Sequence, residues 1–252
     1  MIKNIYLSVI IPAYNEEKRI GPTLESIDSY LKKQNYSYEI IVVANNCTDK
    51  TNDVVREYQK KIKNLKLIDI QNSYGGKGFA VKMGIEKAQG DYMLFMDADN
   101  STRISELDKF WLYFKRSFSV VIGSRALRDS KIKIPQPWYR EFLGRLANLL
   151  VRIIILPKIY DTQCGFKAFT KKAAKAIFSK QKIVGWGFDM EILVLALKFG
   201  FKIKEVPITW FNAPESKVSL GTYFSTLKEL LQIRWWLWRG KYDHKNKRTF
   251  KR

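Results

Sequence analysis

Four short apolar runs, each followed by a cluster of polar or small residues, constrain this chain most. They are Leu7–Ile11 before Pro12-Ala13-Tyr14-Asn15-Glu16-Glu17, Tyr38–Val43 before Ala44–Thr51, Leu65–Ile70 before Tyr74-Gly75-Gly76-Lys77-Gly78, and Tyr92–Met96 before Asp97-Ala98-Asp99. Apolar strands alternating with helical stretches predict an α/β fold with a mostly parallel sheet flanked by helices. In such sheets ligands bind outside the carboxyl ends of the strands. Every polar cluster named above falls at such an end. The 252 residues, 46% of them hydrophobic, suffice for one large α/β unit, and no repeat, low-complexity tract or Ser/Gly linker divides them.

Asp97 and Asp99 carry the strongest chemical signal. Side chains at i and i+2 of an extended segment share a face, so two hard oxygen donors converge where the strand runs out. That pair suits Mg2+ or Mn2+, whose remaining positions water and diphosphate oxygens would fill. A solvated acidic turn has the same short sequence, and the strand before it is what favours a cation. Lys77 lies in a glycine-rich turn before a helix, where anions are favoured. Phe79 rules out a P-loop, and an exposed lysine on a tight turn is the plainer alternative.

The formal net charge of +21 calls for an anionic partner. Nucleic acid is not expected, because no helix-turn-helix, RRM or zinc signature is present. An anionic membrane surface fits better, since each basic residue near acidic lipid gains about 1 kcal/mol. Two segments support it: 138–156, with Phe142, Leu146, Leu149 and Ile153 among Arg140, Arg145 and Arg152, and 227–242, with Trp235, Trp236 and Trp238 among Arg234, Arg239 and Lys241. Neither has the roughly 20 apolar residues of a spanning helix; both suit a helix in the headgroup plane, or else an ordinary core helix. The two cysteines, Cys47 and Cys164, indicate a reducing compartment. The start of the chain lacks a signal-peptide pattern, so a peripheral protein on the cytoplasmic face of the membrane is expected. The single histidine, His244, excludes histidine triads and histidine metal clusters.

In order along the chain, IPAYNEE, NNCTDKT, GGKGFAVKMG, DADNST, GSR, DTQCGFKAF, WGFDMEIL and SK resemble the family 2 inverting glycosyltransferases of GT-A fold. The likeness is strongest to the dolichyl-phosphate glucosyltransferase branch, with the dolichyl-phosphate mannose synthases next. It covers 7–217 and implies a GT-A domain over 1–217, with a nucleotide-sugar half to about 100 and an acceptor half beyond it. An amphipathic membrane-surface helix over 218–242 and a basic tail over 243–252 would follow.

The resemblance implies transfer of a hexose from a nucleotide sugar to a polyprenyl or dolichyl phosphate. UDP-glucose is the favoured donor, and GDP-mannose the alternative. It puts Pro12, Tyr14, Asn15, Glu16, Asn45, Lys77, Asp97 and Lys217 around the nucleotide sugar, Arg125 and Arg140 on the acceptor phosphate, and Asp161 and Asp189 beside the transferred sugar with Asp97 and Asp99. The chain departs from the family where Ala44-Asn45-Asn46-Cys47 replaces the common Asp-Asp-Gly-Ser, which weakens the inference of the base, and where Gly144 stands for a frequent serine. Two other readings are a family 2 transferase acting on a hydroxyl, which would need a general base such as Asp189, and a non-catalytic basic lipid- or nucleic-acid-binding module.

Overall fold

The computed structural model describes residues 4–72, 75–134, 138–212 and 220–243. Lys217, His244 and the rest of the basic tail beyond Asp243 lie outside the described residues, as does the side chain of Arg140. In chain order the elements are β1 (Leu7–Ala13), α1 (Ile20–Leu31), β2 (Tyr38–Asn45), α2 (Thr51–Gln59), β3 (Leu65–Ile70), α3 (Lys77–Lys87), β4 (Tyr92–Met96), a 3-10 turn (Ile104–Leu107) and α4 (Asp108–Lys115). There follow β5 (Val120–Ser124), β6 (Lys131–Ile134), α5 (Trp138–Ile154), β7 (Phe166–Thr170), α6 (Lys171–Phe178), α7 (Phe188–Lys198), β8 (Ile203–Pro207), β9 (Thr209–Phe211) and α8 (Leu220–Trp238).

Seven strands form one sheet in the order β3-β2-β1-β4-β7-β5-β8. All run parallel except β7, which is antiparallel to both β4 and β5. The four runs read as strands in the sequence are β1 to β4. Alternation along β1 sends Val9 and Ile11 into one buried cluster, with Leu24 and Phe110, and Ile10 into the other, with Phe95 and Phe188. Both faces are therefore covered, which is why the strand sequences are apolar without a polar side.

The reversal of β7 builds the site. Met96 pairs with Phe166 and Ile122 with Lys167, so the loop before β7 lies between the ends of β4 and β5. Asp97 and Arg125, which follow those two strands, are thereby set on either side of residues 161–165. The short sheet β6-β9 stands apart from the main one. No helix among the described residues is long and apolar enough to cross a membrane.

α5 and α8 touch each other and are only half engaged with the core. Val151, Leu230 and Ile233 are buried, whereas Trp138 (79% exposed), Ile153 (72%), Phe224 (74%) and Trp238 (76%) face outward. Trp236, expected on the outer face with its neighbours, points inward. Its ring lies 6.0 Å from that of Tyr242 and 5.4 Å from the Lys182 ammonium.

Candidate active site

A cleft of about 930 Å³ opens beyond the carboxyl ends of β1, β2, β4 and β5. Pro12, Tyr14, Glu16, Asn45, Lys77, Asp97, Asp99, Arg125 and Asp189 all line it. The cleft then continues between α5 and α8, where Leu143, Leu146, Leu150, Tyr223, Leu227 and Leu230 replace the polar walls.

At its centre Lys77 Nζ lies 2.6 Å from Asp97 Oδ1. Lys77 reaches it because Gly76 adopts φ 118° at the head of α3, a conformation that side chains other than hydrogen resist. The Asp97 amide donates to Gly165 O at 3.1 Å, and a Cβ on Gly165 would stand 2.0 Å from Asp97 Oδ2. Gly165 is thus fixed by the carboxylate it abuts. Asp99 accepts from the Ser101 amide at 2.9 Å. Burial, and then the charge of Asp97, raise its pKa above the usual aspartate value. Lys77 responds oppositely: burial pulls its pKa down, but Asp97, Asp189 and Asp99 outweigh that and hold it above normal.

Among the described residues no cluster of three or more acidic, histidine or cysteine side chains could hold a metal ion. Asp97 and Asp99 are a hard, all-oxygen pair, of a kind that would suit Mg2+ or Mn2+ better than a softer ion. Burial first, and then the neighbouring Asp97 charge, push Asp99 toward protonation, and a divalent cation between the two carboxylates would offset both effects.

On the nucleotide side the structure separates the expected contacts. Asn45 is almost fully buried; its amide donates to Gly76 O at 3.2 Å, and its Oδ1 has no hydrogen-bond partner among the described residues. The Asn46 oxygen is already taken by the Asn72 amide at 3.0 Å. The Glu16 carboxylate is gripped by Arg19 at 2.7 and 2.9 Å. Asn15 does not line the cleft: its Oδ1 accepts from the Thr48 amide at 2.8 Å and binds the loop after β1 to the loop after β2.

Asp161 and Arg125, expected to act on different substrates, are partners. Arg125 Nε and Nη2 donate to the two Asp161 oxygens at 2.7 and 2.9 Å, and the Arg125 amide adds a third bond at 2.9 Å. Asp161 is 1% exposed and absent from the cleft wall, so its carboxylate meets Arg125 and not the open space of the cleft. Burial drives its pKa up, but the adjoining guanidinium more than reverses this and holds it below the usual range. Arg125 does line the cleft, with the Trp210 ring 5.5 Å away.

Asp189 also lines the cleft and is paired with Lys167, whose ammonium is wholly buried and also donates to Cys164 O at 2.9 Å. Burial keeps the Asp189 pKa above normal despite Lys167 and Lys77. Lys167 was not singled out from the sequence. A lysine inside an apolar strand run was the available signal, because such residues are rarely fully buried without a partner. Glu191, on the same helix turn as Asp189, lies outside the cleft and receives the Ile183 amide and the Tyr242 hydroxyl at 2.8 and 2.7 Å. Cys164 is packed at 1% exposure, and burial pushes its thiol up to about 12, which makes it inert.

A carboxylate pair after β4, a lysine at a glycine turn and a buried amide at the end of β2 belong to a nucleotide-sugar transferase. The glycosyl transferase family 2 domain matches residues 8–178, and the chain belongs to that family and is a glycosyltransferase. A dolichyl-phosphate beta-glucosyltransferase of Trichomonas vaginalis is 36% identical over 239 residues, covering 91% of this chain and 73% of that protein. The Homo sapiens dolichyl-phosphate beta-glucosyltransferase is 33% identical over 245 residues, covering 90% and 74%. Among solved structures, glucosyl-3-phosphoglycerate synthase of Mycobacterium tuberculosis in complex with UDP superimposes with a TM-score of 0.65 over 91% of this chain and 80% of that one. The same enzyme with Mn2+, UDP-glucose and phosphoglyceric acid gives 0.64. At 17% identity these two are likenesses of fold.

Proposed function

We propose that the protein transfers glucose from UDP-glucose to a dolichyl or related polyprenyl phosphate, with inversion, while seated on the cytoplasmic face of an anionic membrane. The observation that carries this reading is the continuity of the cleft, which runs from Asp97 and Asp99 to the apolar passage between α5 and α8. A sugar or protein hydroxyl would have no use for that passage; a polyprenyl chain would. The names of the relatives support the same substrates.

Asp97 and Asp99 would hold Mg2+ or Mn2+, which when bound supplies Lewis-acid neutralisation of the departing diphosphate. Lys77 offers a second positive charge on the same side. Asn45 Oδ1, buried without a partner among the described residues, is suited to accept from an N–H of the base. Lys217 and Arg140 keep their expected roles on the donor diphosphate and the acceptor phosphate.

Arg125 is held by Asp161 with its guanidinium at the cleft wall, ready for the acceptor phosphate. That phosphate has its second pKa at about 6, so it arrives ionised and needs no strong base to attack. Asp189 therefore orients sugar hydroxyls, and Lys167 fixes its direction. The outward faces of α5 and α8 supply the lipid contact, with Arg145, Lys228, Arg234 and Arg239 beside them for acidic headgroups.

The test is incubation of the purified protein with radiolabelled UDP-glucose and dolichyl phosphate, followed by organic extraction and analysis of the anomer. A β-linked glucolipid is expected. Label confined to the aqueous phase would overturn the reading.

A further inference from the structure

Resting on the reading of the cleft as the transfer site, we propose that Glu229 is a positioning residue through which α8 holds the Gly185-Trp186-Gly187 turn, and with it Trp186 and Asp189, in the reactive arrangement. Glu229 Oε2 accepts from the Gly187 amide at 2.6 Å. Gly187 is the last residue before α7, and Asp189 follows in that helix's first turn. The carboxylate thus sits at the positive end of the helix that carries Asp189.

The fit is close enough to dictate composition. A Cβ on Gly185 would come within 2.3 Å of Glu229 Oε1, and one on Gly187 within 2.7 Å of Glu229 Cβ. From the other side Val184 O accepts from the Phe79 amide of α3 at 3.1 Å, so the turn is pinned between α3 and α8. Trp186 lies between those supports, its ring 5.5 Å from the Lys77 ammonium. Beyond the far end of α8, the Tyr242 hydroxyl donates to Glu191 at 2.7 Å, and Lys182 Nζ reaches Lys241 O at 3.2 Å.

The same helix presents Trp238 outward and Leu227 and Leu230 to the cleft. A shift of α8 on the lipid surface would consequently reach Asp189 through one hydrogen bond. Glu229 touches no reacting atom in this scheme; it sets where Asp189 and Trp186 stand.

Four variants of the full chain test the proposal: Glu229→Ala, Glu229→Gln, Gly185→Ala and the double Gly185→Ala/Glu229→Ala. Glu229→Ala should lower kcat about tenfold or more while UDP affinity by calorimetry changes less than about twofold, the pattern of lost orientation. Glu229→Gln, whose amide oxygen still accepts from the Gly187 amide, should restore most of the rate. Gly185→Ala should be damaging alone and add less than about twofold to Glu229→Ala, because its collision partner is gone.

Hydrogen exchange of the Gly187 amide should quicken in Glu229→Ala and stay slow in Glu229→Gln, a readout independent of transfer. Unchanged exchange, a Glu229→Ala kcat within about twofold of wild type, or a Glu229→Gln rate as low as that of Glu229→Ala would overturn the proposal. Absence of glucolipid from the wild-type protein would instead count against the proposed function and leave the exchange result to decide the role of Glu229.

Discussion

Arg125 and Asp161 form a bidentate ion pair, 2.7 and 2.9 Å, at the junction of β5 and the loop before β7. The pair is asymmetric: Asp161 is sealed off at 1% exposure, and Arg125 keeps 28% of its side-chain surface. One partner is the anchor and the other faces the cleft. The Glu205 carboxylate in turn accepts from the Tyr160 and Asp161 amides at 2.8 and 2.9 Å, so the anchor is itself held.

Arg125→Ala should therefore do more than weaken the acceptor. It leaves a buried aspartate without its cation, and a loss of about 3 kcal/mol in urea unfolding is expected. The pH dependence has a definite sign. Because the folded Asp161 pKa is depressed, its contribution to stability is present above the ordinary value of 3.8 and is lost as pH falls through the lower folded value. Removing Arg125 should abolish that acid-limb loss. Arg125→Lys keeps the charge without the fork, and should raise the requirement for polyprenyl phosphate while UDP affinity stays level.

Asp99→Asn should lower turnover by about a hundredfold or more with little change in thermal unfolding, since Asp99 is part of a like-charged pair whose loss relieves repulsion. EDTA should abolish transfer by the wild type, and Mg2+ or Mn2+ should restore it. Calorimetry with and without the ion should find UDP binding strongly metal-dependent in the wild type and weakly so in the variant. Full activity of Asp99→Asn in EDTA would contradict this assignment.

The sequence made β1 to β4 and the Asp97/Asp99 pair legible, because strands buried on both faces advertise themselves as unbroken apolar runs. It did not reveal the direction of β7. Strand direction depends on how the chain returns to the sheet, and residues 166–170 look the same either way. Nor could it pair Arg125 with Asp161, which are 36 residues apart and meet only because β7 is reversed. In α8, Trp235, Trp236 and Trp238 read as one interfacial group, yet about 100° of rotation per residue divides them and turns Trp236 to the core. The sequence leaves Asn45 and Asn46 equivalent where the family commonly carries aspartates; that the Asn45 oxygen is buried with no partner among the described residues, while that of Asn46 is engaged, needed the structure.

Asn45→Ala should weaken UDP binding by about 1 to 1.5 kcal/mol, roughly tenfold, the worth of a hydrogen bond to a buried acceptor. Calorimetry with UDP and GDP in the presence of the divalent ion checks it. The difference between the two nucleotides should shrink in the variant. Equal loss for both would mean that Asn45 supports the Gly76 turn and does not read the base.

Trp235→Glu with Trp238→Glu should release the protein from anionic vesicles, because both rings face outward. High salt alone should strip it only in part, since screening acts on charges beyond a Debye length of about 8 Å and leaves apolar contacts in place. Trp236→Glu, by contrast, should lower thermal stability through its packing on Tyr242 and Lys182. Cosedimentation and thermal unfolding separate the two outcomes.

The most direct measurement of the central claim is parallel incubation with radiolabelled UDP-glucose, GDP-mannose and UDP-GlcNAc, each with polyprenyl phosphate and the divalent ion, followed by organic extraction. The account predicts lipid-linked label from UDP-glucose well above that from the other two, and its loss in Asp99→Asn. Label entering the lipid phase from GDP-mannose and not from UDP-glucose, or from no donor at all, would contradict it.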